Sequence, residues 1–253
     1  MENRRLRTRP SPRSPVVLSD RDARILLALA ECSFLTTAQL ARDGFSSEDR
    51  CRKRLRKLYD ARLTNVLMTG SRDSNVIQIS RLGLQALRDL GHDISGLSVP
   101  AAVRTSALPH ILLTNDARLY LANFALEGLG ELRAWESGRG SVAAKIGLAA
   151  ARIAPDAIAI TVQNQSEKLL IIESDCGFET SALVDKLKRY AAWKSRPQNA
   201  ELWIIAAGDA ARIRYVQAMC ASIVPGWTRL FRHEQILMRP AVEPASLVRA
   251  RRT

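Results

Sequence analysis

Two apolar runs, Ala157 to Val162 and Lys168 to Ser174, flank the polar stretch Gln163-Asn164-Gln165-Ser166-Glu167. Short apolar runs either side of a turn-rich spacer predict a β-hairpin. If the hairpin turns about Gln165, Asp156 stands opposite Ser174, and Glu173 and Asp175 share one face of the second strand through its period of two. Asp156, Glu173 and Asp175 are therefore expected to converge at one end of a sheet with an apolar interior. Crowded carboxylates repel one another, so such a group either holds a divalent cation or retains a proton above the ordinary range. Solvated acidic residues at strand ends are the plain alternative. Mg²⁺ would suit the three carboxylates as ligands, and metal-assisted phosphodiester cleavage is the chemistry it would support. No other cofactor is called for.

Around the hairpin the pattern alternates. Pro109 suits the first turn of a helix, and Leu108, Ile111, Leu112, Asn115, Leu119, Ala122 and Leu126 continue one face as far as Gly128. A short strand at Leu132 to Trp135 and a Gly-rich stretch lead into the hairpin. After it come a helix from Thr180 to Trp193, a strand at Leu202 to Ala206, a helix from Asp209 to Ile223 and a strand from Arg229 to Leu237. The order α-β-β-β-α-β-α-β predicts an α/β domain with a mixed sheet flanked by helices, over residues 108–238. His110, next to Pro109, could reach the carboxylates, but a capping or half-buried role is the one expected. Asn115 interrupts an apolar face and is expected to tie the helix to a neighbouring loop, since a buried amide needs partners.

The first part of the chain has a different rhythm. Ser19 or Asp20 caps a helix carrying Ile25, Leu26 and Leu29, Thr36 or Thr37 caps a short one through Leu40, and Ser46 or Ser47 caps a third. On the third, Cys51, Leu55, Leu58 and Tyr59 form an apolar stripe, and Arg50, Lys53, Arg54 and Lys57 fall on another face. Strands at Thr64 to Thr69 and Asn75 to Ser80 follow, with Arg72 in the loop between them, then a helix carrying Leu82, Leu84, Leu87 and Leu90 that stops at Gly91. Two helices, a basic helix and a hairpin are the order of a winged helix-turn-helix, expected over residues 16–91. In that fold the third helix enters the major groove and the wing touches the backbone. Double-stranded DNA is thus the expected partner. Arg50, Lys53, Arg54 and Lys57 would face the groove, and Arg72 the flanking phosphates.

Charge agrees with that partner. The 253 residues carry 38 Lys and Arg against 25 Asp and Glu, a net +13, which favours a polyanion. Residues 1–15 place Arg4, Arg5, Arg7, Arg9 and Arg13 among prolines and serines and are expected to form a disordered basic arm. Residues 239–253 read as a basic tail, and 92–107 as a linker. No apolar run is long enough to span a bilayer, and no signal peptide is evident, so a cytoplasmic protein is expected. Cys32, Cys51, Cys176 and Cys220 stand too far apart in sequence for a zinc motif and read as reduced thiols.

Pro155-Asp156 and Glu173-Ser174-Asp175 within α-β-β-β-α-β resemble the PD-(D/E)XK restriction-endonuclease-like pattern. That resemblance implies metal-binding roles for Asp156 and Glu173, and a lysine two residues after the glutamate that activates water. Asp175 stands in the lysine's place, and Lys186 on the following helix is the candidate to supply the ammonium. A second resemblance spans both halves, from about Ser19 to about Ile205. Leu35-Thr36-Thr37-Ala38-Gln39-Leu40, Arg54-Leu55-Arg56-Lys57-Leu58-Tyr59, His110, Asn115-Asp116, Pro155-Asp156 and Glu173-Ser174-Asp175-Cys176-Gly177, with Lys186 and Tyr190, resemble the replication-relaxation family of plasmid and mobile-element proteins. Phe178-Glu179 departs from the Thr-Glu expected there. The resemblance implies a role in plasmid replication, relaxation or mobilisation, with proteins of those processes as partners; apart from it, a homodimer is compatible with the sequence. Three functions follow: a DNA-binding protein with a degenerate nuclease fold, an active Mg²⁺-dependent endonuclease or nickase using Asp156, Glu173, Asp175 and Lys186, or a winged-helix transcriptional regulator.

Overall fold

The computed structural model describes residues 16–42, 44–67, 75–123, 130–137, 141–177 and 180–237. The expected arm, the expected tail, the loop bearing Arg72 and the Phe178-Glu179 pair lie outside the described residues. No helix among those described is long and apolar enough to cross a membrane. Cys32, Cys51, Cys176 and Cys220 all carry thiols rather than disulfide bonds.

The N-terminal half begins with α1 (Asp20–Cys32), whose start is fixed by Ser19, which donates through its backbone N (2.8 Å) and its hydroxyl (2.6 Å) to Asp22 Oδ2. β1 (Leu35–Thr36) runs directly into α2 (Thr37–Arg42). There Thr36 N donates to Gln39 Oε1 (2.9 Å) and Gln39 N to Thr36 Oγ1 (3.1 Å), a reciprocal cap that satisfies two otherwise orphaned donors. α3 (Glu48–Asp60) is capped by Ser47, with Glu48 and Asp49 at the positive end of the helix dipole. β2 (Thr64–Leu67) and β3 (Val76–Ile79) follow, then α4 (Arg81–Asp89). The three strands form an antiparallel sheet in the order β1-β3-β2. Ile25, Leu26, Leu29, Leu40, Cys51, Leu58, Ile79 and Leu87 are fully buried where this sheet and the helices meet.

The segment expected as a linker contains only a short 3-10 turn at Thr105–Ala107, yet it is laid against the protein. Ile94 and Leu97 pack on the N-terminal core, and Val103 packs on Phe34, Val76 and Leu108. α5 (Leu108–Asn123) then joins the halves. Asn115 Nδ2 donates to the carbonyls of Cys32 (2.9 Å) and Phe34 (2.6 Å), so the amide does tie helix to loop. Gln39 Nε2 donates to Leu112 O (2.8 Å) and Asp116 Oδ1 (3.0 Å), Arg42 pairs with Asp116, and Arg118 with Glu31.

The second half is a five-stranded mixed sheet, β4 (Glu131–Ser137), β5 (Ala157–Gln163), β6 (Ser166–Asp175), β7 (Ala200–Ala206) and β8 (Thr228–Arg232), in that spatial order. The first three strands are antiparallel and the last three parallel. α6 (Ser141–Lys145), α7 (Thr180–Ala191) and α8 (Ala210–Ile223) cover one face, and α5 with α9 (His233–Leu237) the other. Leu169 and Ile171 face α7 and α8, whereas Leu170 and Ile172 face α5. A strand covered on both faces reads as a continuous apolar run, which is why β6 is so plain in the sequence.

Three expectations are corrected. The hairpin turns on two residues, Asn164 and Gln165, both at positive φ (50° and 64°), as the mirror-image turns that suit strand twist require. Ala157 therefore pairs with Ile172, one residue out from the expected register, and Asp156 comes level with Glu173 rather than Ser174. The last strand ends at Arg232, where Gln235 Oε1 accepts the Arg232 N–H (2.8 Å) and α9 begins. The Gly-rich stretch before the hairpin contains α6, whose first N–H groups are accepted by the Glu136 carboxylate at 3.1–3.4 Å.

Candidate functional site

Asp156 sits at the entrance to β5, where its backbone N donates to Ile172 O (3.1 Å) and its Oδ2 accepts the Ser174 N–H (2.7 Å). Glu173 points from β6 toward α7 and is buried to 2 % exposure. The Lys186 ammonium on α7 lies between them, 3.3 Å from Asp156 Oδ1 and bonded to Glu173 Oε2. Tyr190, one helical turn on, donates its hydroxyl to Glu173 Oε1. From the opposite face of the sheet, His110 Nε2 on α5 lies 3.1 Å from Asp156 Oδ1, and Thr114 Oγ1 lies 2.8 Å from Ser174 Oγ. The sheet end is thus clasped by α5 on one side and α7 on the other.

Burial and charge pull these groups apart. Burial alone would raise Asp156, but the hydrogen bond from His110 and the positive charge of Lys186 outweigh it and bring its pKa to about 2. Glu173 is held well above the ordinary carboxylate range, first by burial and then by the charge of Asp156, with Lys186 and Tyr190 offsetting only part. For Lys186, burial disfavours the ammonium, yet the two carboxylates raise its pKa overall. Burial and Glu173 push the Tyr190 phenol well above its usual value. His110 is raised to about 10 by its hydrogen bond to Asp156 and a second to Cys176.

A pH dependence follows from two of these groups. A raised folded pKa means that the contribution of His110 is fully present below its ordinary 6.5 and is lost as pH rises through about 10. The depressed Asp156 works the other way, contributing above its ordinary 3.8 and losing that contribution as pH falls through about 2. Comparing melting curves of the parent chain and His110→Gln, we expect the parent's advantage to be greatest between about pH 4 and 6.5 and to shrink as pH rises from there through 10. An advantage constant across that range would show that His110 is not held as a cation.

Asp175 shares the face of Glu173, as its spacing predicts, but the expected convergence of three carboxylates is corrected to two. Arg212 on α8 binds Asp175 through Nε (2.8 Å) and Nη2 (2.6 Å), and Gly177 N donates to it at 3.3 Å. Among the described residues no group of three or more His, Cys, Asp or Glu is arranged to hold a metal ion. Asp156 Oδ2 and Glu173 Oε1 are satisfied by Ser174 and Tyr190, and the remaining pair of oxygens converges on the Lys186 ammonium. In this arrangement Mg²⁺ does not fit without displacing Lys186. Arg212 and Thr114 had no role in the sequence reading, and Tyr190 entered it only through the family resemblance and the inward face it shares with Lys186.

The expected DNA-facing residues separate into two groups. Arg50 and Lys57 are exposed, and neither has a carboxylate partner among the described residues. Arg50 reaches Ser46 Oγ at 2.9 Å. Lys53 is exposed but pairs with Asp49 (2.8 Å) along the helix. Arg54 departs from expectation. Its guanidinium turns inward to Asp22, with Nε–Oδ1 at 2.6 Å and Nη2–Oδ2 at 2.5 Å, and also donates to Val17 O at 2.9 Å.

Fold and site together define a mixed α/β protein whose sheet carries a buried Asp–Glu–Lys–Tyr cluster at one end and whose helical half presents a basic helix. The family model for replication-relaxation matches residues 26–201, and the chain belongs to that family. Membership gives it a DNA-related role. No curated protein matches it. Among solved structures it is similar to restriction endonuclease FokI, at 13% identity and a TM-score of 0.32, over 86% of this chain and 42% of that one. The DNA-bound form of FokI gives 14%, 0.31, 88% and 45%. The chain spans less than half the length of either, and at this TM-score the likeness carries no functional weight.

Proposed function

We propose that this protein binds duplex DNA and acts in the replication, relaxation or mobilisation of plasmid or mobile-element DNA. In this reading its N-terminal half is a winged helix-turn-helix. The sheet half is a restriction-endonuclease-like domain whose site has become a closed ion-pair cluster. The observation that carries the DNA reading is α3. It follows α2 directly, packs Cys51, Leu55 and Leu58 inward, and turns Arg50, Lys53 and Lys57 to solvent beside a three-stranded sheet. A recognition helix needs that combination of a rigid back and a basic front. The ammonium between Asp156 and Glu173 supports the closed-cluster reading, because it neutralises the oxygens a metal would need.

A double variant, Arg50→Ala with Lys57→Ala, tests the DNA reading in a mobility-shift titration across salt. Each lost phosphate contact should flatten the slope of log affinity against log salt by roughly 0.9. Binding that is unchanged in affinity and slope would remove α3 from the interface. The nuclease reading has one observation in its favour: Asp156, Glu173 and Lys186 do meet at one end of the sheet, with His110 at the solvent side. Nicking of supercoiled plasmid that needs Mg²⁺ and disappears in Asp156→Ala and Glu173→Ala would replace the closed-cluster reading with catalysis.

A further inference from the structure

The positive charge of α3 is largely answered within the helix itself. Arg52 pairs with Glu48 (2.8 Å), Lys53 with Asp49 (2.8 Å) and Arg56 with Asp60 (3.0 Å), and Arg54 is turned onto Asp22. The sheet half differs. Lys145, Arg152, Lys188, Arg189, Lys194 and Arg196 are all exposed, and among the described residues none forms an ion pair.

Contacts between neighbouring segments tie together the parts of the chain that carry these six residues. Arg189 Nη1 donates to the Arg152 carbonyl (3.3 Å), which fastens α7 to the segment after α6. Gly147, in that same segment, approaches so closely that a Cβ there would meet Ser195 Oγ at 2.9 Å. Trp193 Nε1 donates to the same hydroxyl (2.9 Å), placing Lys194 beside the segment that carries Lys145 and Arg152. Arg196 lies over the Trp227 ring, 4.5 Å from its centroid, and lines an open cavity of about 770 Å³ with Gln198, Asn199 and Thr228, where the lining carboxylates Glu167 and Glu201 are ion-paired to Arg133 and to Lys168 and Arg229. Asp185 is the exposed carboxylate on this flank of α7. One end of the surface lies at the cluster, through Lys186, and the other at the cavity, through Arg196.

We propose that this flank, running along α6 and α7, is a second contact surface for the phosphate backbone of DNA. The proposal rests on the DNA-binding reading and adds a site for which α3 is not needed. Unpaired cations along an exposed helix, with an arginine-covered tryptophan and amide side chains at one end, suit a polyanion that is followed rather than read. The segment's tight packing fixes the backbone that carries these charges, so only their side chains have to be ordered on binding.

The test uses the full chain and a triple variant, Lys145→Gln, Lys188→Gln and Lys194→Gln. These lysines hold no other element in place among the described residues, so the melting temperature should not move. Affinity for a 30-base-pair duplex is measured between 50 and 200 mM salt, alongside the Arg50→Ala/Lys57→Ala variant. The expected result is at least a tenfold weaker affinity and a salt slope flatter by roughly 2–3, as three lost phosphate contacts require. If the triple variant matches the parent in affinity and slope while the α3 variant weakens, this surface is not a DNA contact and the α3 reading stands. If the parent binds no duplex even at 50 mM salt, the DNA reading fails and takes this proposal with it. Vesicles containing phosphatidylserine form the remaining arm. Capture of the parent but not the triple variant, with DNA affinity unchanged, would assign the surface to an anionic membrane and overturn the proposal.

Discussion

Lys186→Met is expected to lower the melting temperature by roughly 6–20 °C at pH 8. Removing one partner of a buried ion pair costs about 3–5 kcal/mol, and each kcal/mol moves a chain of this size by about 2–4 °C. The side chain of Lys186 keeps 24% of its exposure, which places the effect in the lower half of that range. The pH dependence identifies the cause. With the ammonium gone, Glu173 has no cation beside it and can escape the cost by holding a proton, since burial and Asp156 already raise its pKa. The loss should therefore be small near pH 5 and grow toward pH 8. Adding Glu173→Gln removes the charge that Lys186 neutralises, and the double variant should recover most of the stability at pH 8. A single variant as stable as the parent at every pH would show that the lysine does not neutralise the pair. Recovery of the single variant by millimolar Mg²⁺, with none in the Glu173→Gln double variant, would show the metal taking the ammonium's place and strengthen the nuclease reading.

How much of this site was legible depends on how local each contact is. The hairpin, and the placing of Glu173 and Asp175 on one face, follow from a period of two and need no tertiary information. The register does not, because it is set by whether the turn takes two residues or more, and here it moved Asp156 by one position. Lys186 and Tyr190 lie four apart on the inward side of an amphipathic helix, so their approach to the sheet followed from periodicity. That Lys186 meets Asp156 as well as Glu173 did not. The fate of Asp175 was hidden for a different reason. Its partner Arg212 lies 37 residues away on another helix, and nothing local distinguishes that arginine from the exposed Arg214. Similarly, β8 and α9 read as one strand because Phe231 and Ile236 are both apolar, and only Gln235 marks the break. The unity of the two halves was also out of reach. Asn115 was marked as needing a partner, but the carbonyls it binds lie 81 and 83 residues earlier.

Arg54→Ala is the substitution on which a reading by helix face and a reading by structure diverge most. Counted by helical position, Arg54 stands with Arg50 and Lys57 and its loss should weaken DNA binding alone. Its guanidinium instead lies against Asp22, whose side chain is 1% exposed and whose carboxylate also takes both donors of Ser19. Burial favours the neutral acid at Asp22, and the hydrogen bond from Arg54 overcomes it and lowers the pKa. Alanine at position 54 would leave that carboxylate ionised and without its cation, at a cost of about 3 kcal/mol. The expected drop in melting temperature is therefore roughly 6–12 °C. Arg54→Lys should restore little, because an ammonium cannot match two carboxylate oxygens and the Val17 carbonyl at once. At a temperature where the variant is still folded, the salt slope of DNA binding should equal the parent's, unlike that of Arg50→Ala. A parent-like melting temperature with a flatter slope would reverse the assignment. Arg54 would then leave Asp22 when DNA arrives, and α3 would be held to α1 by its apolar stripe alone.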